Sequence, residues 1–133
     1  MTAPNWGIGI DIESVERFRN DVRTSSRLLS TAFSKREREY CLSKADPAVH
    51  FAGTFAAKEA ALKALSGLGI GSHVVMGFEV HHDRGGRPYV KYHGKNARSL
   101  RGVEIRIAIS HTTDNAVAVA IAIIDKRSPS KSR

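Results

Sequence analysis

Three carboxylates and a lysine carry the chemistry open to this chain. Asp11 and Glu13 stand two apart in the run Gly7-Ile8-Gly9-Ile10-Asp11-Ile12-Glu13. As a strand, this run points both acids to one face and Ile8, Ile10 and Ile12 to the other, where the isoleucines read as core. Two like charges side by side raise each other's pKa unless a cation sits between them. Glu59 and Lys63 lie four apart in the Ala-rich run Phe51 to Leu65, so they share one face of a helix. Each piece alone has a plain reading, as a solvated ion pair or a solvent-facing strand edge. Converging from a strand and a helix, the acids would suit a hard divalent ion. Mg²⁺ takes oxygen ligands and commonly bridges substrate phosphates.

A third polar group interrupts an apolar stretch. Ile107 to Ala120 has two apolar runs around Ser110, His111, Thr112, Thr113, Asp114 and Asn115. The pattern predicts a β-hairpin with these groups at its turn. Ser110, His111 and Thr112 suit phosphate or backbone contacts, although Thr, Asp and Asn are also ordinary turn residues.

The elements that must position these groups follow from patterning. Trp6 to Glu13 reads as a strand and Ser14 to about Ser30 as a helix, broken near Thr24-Ser25-Ser26. Ser34 with Glu37 forms a capping box for a helix to about Ser43. Asp46 reads as the cap of a long helix, with Pro47 in its first turn and Gly67 at its end. Gly67 to Gly71 is a flexible exit with no helix after it, which argues against a dinucleotide-binding fold. Val74 to His82 and Tyr89 to Tyr92 read as strands, Asn96 to Leu100 as a short helix, and Val103 to Ser110 with Asn115 to Ile124 as the last hairpin. No repeat or linker divides the pattern, so one α+β domain over residues 1–125 is expected, with a basic, serine-containing tail over 126–133 read as disordered.

Composition sets the class. The chain has 133 residues, 41% hydrophobic and 26% charged, which suits one ordinary globular domain. One cysteine, Cys41, excludes an intramolecular disulfide and fits a reducing compartment. No signal peptide or membrane-length apolar run is evident, and the expected location is cytoplasmic. A formal net charge of +8 calls for a polyanionic partner.

Taken together, Gly7-Ile8-Gly9-Ile10-Asp11, Phe55-Ala56-Ala57-Lys58-Glu59-Ala60 with Lys63-Ala64-Leu65, and Ile109-Ser110-His111-Thr112 resemble the 4′-phosphopantetheinyl transferases, most closely the short bacterial holo-acyl-carrier-protein synthases. Smaller matches are Phe33-Ser34-Lys35-Arg36-Glu37 and Gly85-Gly86-Arg87-Pro88. The resemblance runs from about Trp6 to about Ile124. It implies an antiparallel sheet packed by helices, one of them long and central, and a trimer with sites between protomers. It also implies Mg²⁺-dependent (or Mn²⁺-dependent) transfer of phosphopantetheine from coenzyme A to a serine of an apo acyl carrier protein, leaving adenosine 3′,5′-bisphosphate. By the same resemblance Asp11 and Glu59 hold the metal, Lys63 sits near the phosphates, and His111 with Ser110 binds coenzyme A phosphate. Lys44 is a further basic contact, and Lys58 is read as mainly structural. Two acceptors are open to the serine proton, a carboxylate or a metal-bound water.

The carrier proteins of this family are acidic and dock on a basic N-terminal helix. Arg19, Arg23 and Arg27 recur at helical spacing with Arg17 beside them, and are read as that face. Two positions depart from the short members. Glu13 adds an acid, as in the larger transferases, and is a candidate third ligand. Thr54 stands where short members often carry Arg, removing one cation. Two rival readings remain in view. A basic nucleic-acid-binding protein fits the charge, but 7% aromatic content offers no stacking pattern and leaves the acids unexplained. A non-catalytic trimeric scaffold leaves the retained Asp11, Glu59 and Lys63 unexplained.

Overall fold

The computed structural model describes residues 4–125; the tail at 126–133 lies outside them. Strand β1 (Trp6–Ser14) leads into helices α1 (Val15–Thr24), α2 (Arg27–Ala32), α3 (Lys35–Leu42) and α4 (Pro47–Gly67). Strands β2 (Phe78–His82), β3 (Pro88–Tyr92), β4 (Val103–His111) and β5 (Asn115–Ile124) follow. All pairings are antiparallel: β1-β5-β4 form one sheet and β2-β3 a separate hairpin. The fold is mixed α+β, as expected.

The long helix lies directly on the three-stranded sheet, and small residues explain how. Ala56, Ala57, Ala60, Ala61 and Ala64 of α4 are fully buried, as are Ala116, Ala118, Ala120 and Ala122 on alternate positions of β5. On β1 the facing residues are glycines. A methyl group at Gly7 would run into the Ala64 carbonyl, and one at Gly9 into the Ala60 carbonyl. Close approach of helix and strand therefore requires glycine at both places.

This packing reverses the face assignment expected for β1. The alternation is present, but Ile8, Ile10 and Ile12 are 57%, 62% and 63% exposed and the glycine–carboxylate face lies against α4. Bulk decides it: only hydrogen fits under the helix, so the isoleucines turn outward. They are joined there by Trp6 and by Ile121 and Ile123 of β5.

A second core lies beneath the shorter helices. Phe18, Phe33 and Phe51 are fully buried, with Phe33 and Phe51 edge-to-face at 4.9 Å. Each such side chain contributes about 1.5–3 kcal/mol by burial. Between the cores runs a buried ion pair: Lys58 Nζ donates to Glu37 Oε1 at 2.8 Å and to the Ala32 carbonyl at 2.8 Å. Glu37 also accepts from Ser34 N, which completes the expected capping box, and from Val80 N. Lys58 is thus a structural residue, tying α2, α3, α4 and β2 together.

Other expectations shift locally. Asp46 makes no capping bond; its carboxylate takes a bidentate contact from Arg19, at 2.9 and 3.2 Å. The first helix does break where expected, at Ser25, whose φ is 51°, so Arg27 opens α2 and is not on one continuous helix with Arg19 and Arg23. Residues 75–77 form a 3-10 turn, not strand, and a second 3-10 turn spans Ala97–Leu100.

Candidate functional site

The close contact of β1 with α4 puts the acids on neighbouring elements, although the ligand atoms of Asp11, Glu13 and Glu59 do not all lie within 4.8 Å of one another. Asp11 and Glu13 emerge on the helix side of β1, just beyond Gly9, and Glu59 and Lys63 lie on α4 alongside. Lys63 Nζ donates to the Ile10 carbonyl at 2.9 Å and to Asp11 Oδ1 at 3.3 Å. Lys63 therefore reaches across to the strand, where an ordinary surface pair would have kept it on Glu59.

The electrostatics mark a site short of positive charge. Glu13 is pushed up to about 8, first by burial, then by the hydrogen bond and charge of neighbouring Asp11, with Arg17 pulling the other way. Burial, followed by the Asp11 charge, also raises Glu59, against the pull of Lys63. Asp11 Oδ2 is buried and receives no hydrogen bond from any donor among the described residues. A proton shared with Glu13 can relieve that oxygen, and so can a cation. The donor set is all carboxylate, which fits a hard divalent ion such as Mg²⁺ and not a soft one.

Arg17 belongs to this cluster too. Its Nη1 lies 3.4 Å from Glu13 Oε1, while its guanidinium sits over the Phe18 ring at 5.2 Å. Arg19 is occupied by Asp46 and Glu16, and Arg23 donates to Asn20.

A second feature is a cleft of about 170 Å³ between α3, α4, the β2–β3 turn and the end of β4. Tyr40, His50, Thr54, His82, Gly86, Pro88 and His111 are among the residues that line it. His111 is the last residue of β4 and not part of the turn, so its side chain follows the alternation onto the helix side. Ser110 falls on the opposite, outward face, and the structure separates these two expected phosphate contacts. His82 stacks on Tyr40 at 4.0 Å, and the Lys44 ammonium lies over the same Tyr40 ring at 4.6 Å. Burial, then the charge of Lys44, lowers both His50 and His82. The cleft is rich in groups that an anion would charge or pair. Thr54 sits at its floor, 4% exposed, with its hydroxyl 3.7 Å from Cys41 Sγ.

His50 and His82 carried no signal in the sequence. They lie on different elements, far apart in the chain, with no motif between them. Only the hairpin folding over α4 makes them neighbours.

Comparison with known proteins now decides the family. The sequence model described as the 4′-phosphopantetheinyl transferase superfamily matches residues 7–122. The chain belongs to that superfamily. As a phosphopantetheinyl transferase it is similar to enzymes named holo-[acyl-carrier-protein] synthase: 42% identical over 120 residues to that of Koribacter versatilis, covering 86% of this chain and 95% of the relative. The corresponding protein of Moorella thermoacetica is 38% identical over 120 residues, covering 88% and 91%. Among solved structures, a coenzyme A complex from Chronobacterium ammoniagenes superposes with a TM-score of 0.78 at 27% identity, covering 92% of this chain and all of the other. The transferase fold is thus shared along nearly its whole length.

Proposed function

We propose that the chain transfers 4′-phosphopantetheine from coenzyme A to a serine hydroxyl of an apo acyl carrier protein, leaving holo-carrier and adenosine 3′,5′-bisphosphate. The observation that carries this reading is the buried Asp11 oxygen without a donor, beside Glu13 and Glu59, in a chain of this superfamily. Asp11 and Glu59, with Glu13 as a third ligand, would hold Mg²⁺, for which Mn²⁺ could substitute. When bound, that ion supplies positive charge against the pyrophosphate of coenzyme A. Lys63, fixed by Ile10 and Asp11, lends a second cation where charge develops on the leaving phosphate. The serine proton would pass to a carboxylate of the same cluster or to water.

The histidine cleft suits the phosphorylated nucleoside end of coenzyme A, with Lys44, His50, His82 and His111 as its cationic or proton-donating wall. An acidic carrier would meet the basic surface of Arg17, Arg19, Arg23 and Arg27.

The active form in this reading is a homotrimer with sites between protomers. The exposed apolar face of Trp6, Ile8, Ile10, Ile12, Ile121 and Ile123 supports it, because such a contiguous patch marks an interface. Ser110 lies on that face, so it would reach a cofactor across a subunit boundary. Among the described residues no helix is long and apolar enough to cross a membrane; a cytoplasmic setting is part of the proposal.

Intact-mass analysis of an apo acyl carrier protein with this enzyme, coenzyme A and Mg²⁺ tests the reading. The expected result is one added phosphopantetheine, absent with EDTA and absent for Glu59→Ala. No gain on several apo carriers, with the enzyme folded, would sink it.

A further inference from the structure

The β2–β3 hairpin presents a second set of metal-binding groups, remote in type from the carboxylate cluster. Glu79 and His81 lie two apart on β2 and so share a face. His93 follows β3, and its N–H donates to the Gly77 carbonyl at 2.8 Å, extending the pairing and bringing its ring to that face. His81 Nε2 lies 2.8 Å from Glu79 Oε1, and His93 Nε2 lies 3.6 Å from the same oxygen. One ligand atom from each residue lies within 4.8 Å of the others. No other trio of His, Cys, Asp or Glu meets that condition among the described residues.

We propose that Glu79, His81 and His93 form a second metal site, for a borderline divalent cation such as Zn²⁺, with a fourth position open to water. The ligand chemistry selects the ion: two imidazoles and a carboxylate favour zinc, whereas Mg²⁺ prefers oxygen throughout. The spacing agrees, since ligand atoms around a tetrahedral zinc sit about 3.3 Å apart. Two of the three members are already held. His81 is 7% exposed and stacks on Tyr89 at 5.4 Å, and Glu79 is half-buried. His93 is the exposed partner, its side chain 62% exposed and already beside Glu79, with open space around it to complete the shell. Lys91 pairs across from Glu79 but is exposed and can swing into solvent. Occupancy would staple the open end of the hairpin, locking the residue after β3 onto β2.

The test uses untagged protein stripped with chelator, in excess Mg²⁺ so that the carboxylate cluster is saturated. Zn²⁺ is titrated by calorimetry, and Co²⁺ is added separately to read coordination from its visible absorption. One Zn²⁺ per chain is expected, with a Co²⁺ spectrum of tetrahedral intensity. In His93→Ala the zinc affinity should fall at least about 10-fold while carrier modification is unchanged. His50→Ala should bind zinc as the parent does. Unaltered zinc affinity in His93→Ala, loss in His50→Ala, or no zinc binding by folded parent protein would each overturn the proposal.

Discussion

Lys58 Nζ lies 2.8 Å from Glu37 Oε1, and neither side chain meets solvent: their exposures are 0% and 1%. The pair ties α3 to α4, the helix that carries Glu59 and, with α3, lines the cleft. Burial lowers Lys58, and Glu37 is the main group that keeps it charged. Glu37 spends its remaining oxygen on Val80 N at 2.7 Å, so no polar atom of the carboxylate is idle.

Replacing Lys58 by Met should therefore destabilise strongly. The variant strands a buried carboxylate whose other partners are backbone groups, a loss of about 3–5 kcal/mol. Urea unfolding followed by circular dichroism measures it. The double variant Lys58→Met, Glu37→Gln should recover part of the loss, since the uncompensated charge is gone. A cost below about 1 kcal/mol for the single change would mean that the pair is not desolvated in solution.

Glu13 gives the metal-free protein a specific pH response. Its ordinary value of 4.5 rises to about 8 on folding, so the folded state holds a proton that the unfolded chain has lost. Below about 4.5 both states are protonated and no penalty arises. Between 4.5 and 8 the unfolded state ionises and the folded state does not, so stability falls as pH rises; above 8 the full penalty is present. Chelator-treated protein should show this decline in thermal unfolding, and Glu13→Gln should flatten it. On the proposed metal reading, saturating Mg²⁺ should oppose the decline, since the cation would take the place of the proton.

Gly9→Ala probes the link between packing and the acidic cluster. The added methyl meets the Ala60 backbone, so strand and helix must part. A cost of about 1–3 kcal/mol is expected, as for other overpacked contacts. Mg²⁺ affinity should weaken as well, since Asp11 and Glu59 ride on the two elements being separated. Unfolding curves and a metal titration on the same preparation give both numbers.

The outward isoleucines make a prediction about assembly. Ile10→Asp places a charge at the middle of the exposed apolar face, away from every buried contact of the chain. The secondary structure should survive by circular dichroism, while, on the proposed trimeric reading, sedimentation should shift to a smaller species and carrier modification should fall. An unchanged sedimentation coefficient would remove this face from the interface.

Local signals in the sequence determined much of this protein. The period-two run of β1, the Ser34–Glu37 capping box, Pro47 and Gly67 around the long helix, and the break at Ser25 depend on neighbours a few residues away, and each stands where expected. The acidic residues and Lys63 were legible for the same reason, as charges in otherwise apolar runs. Which face of β1 is buried was not legible. Alternation shows that two faces differ, but only the distance between β1 and α4 decides that glycine, not isoleucine, lies beneath the helix. The partners of Lys63 and Asp46, and the face on which Ser110 lies, were likewise settled by what the tertiary fold brings alongside. The histidine cleft exists only once distant segments meet, because a long-range contact leaves no spacing rule in the chain that makes it, whereas the Glu79–His81–His93 face needs only the register of one hairpin.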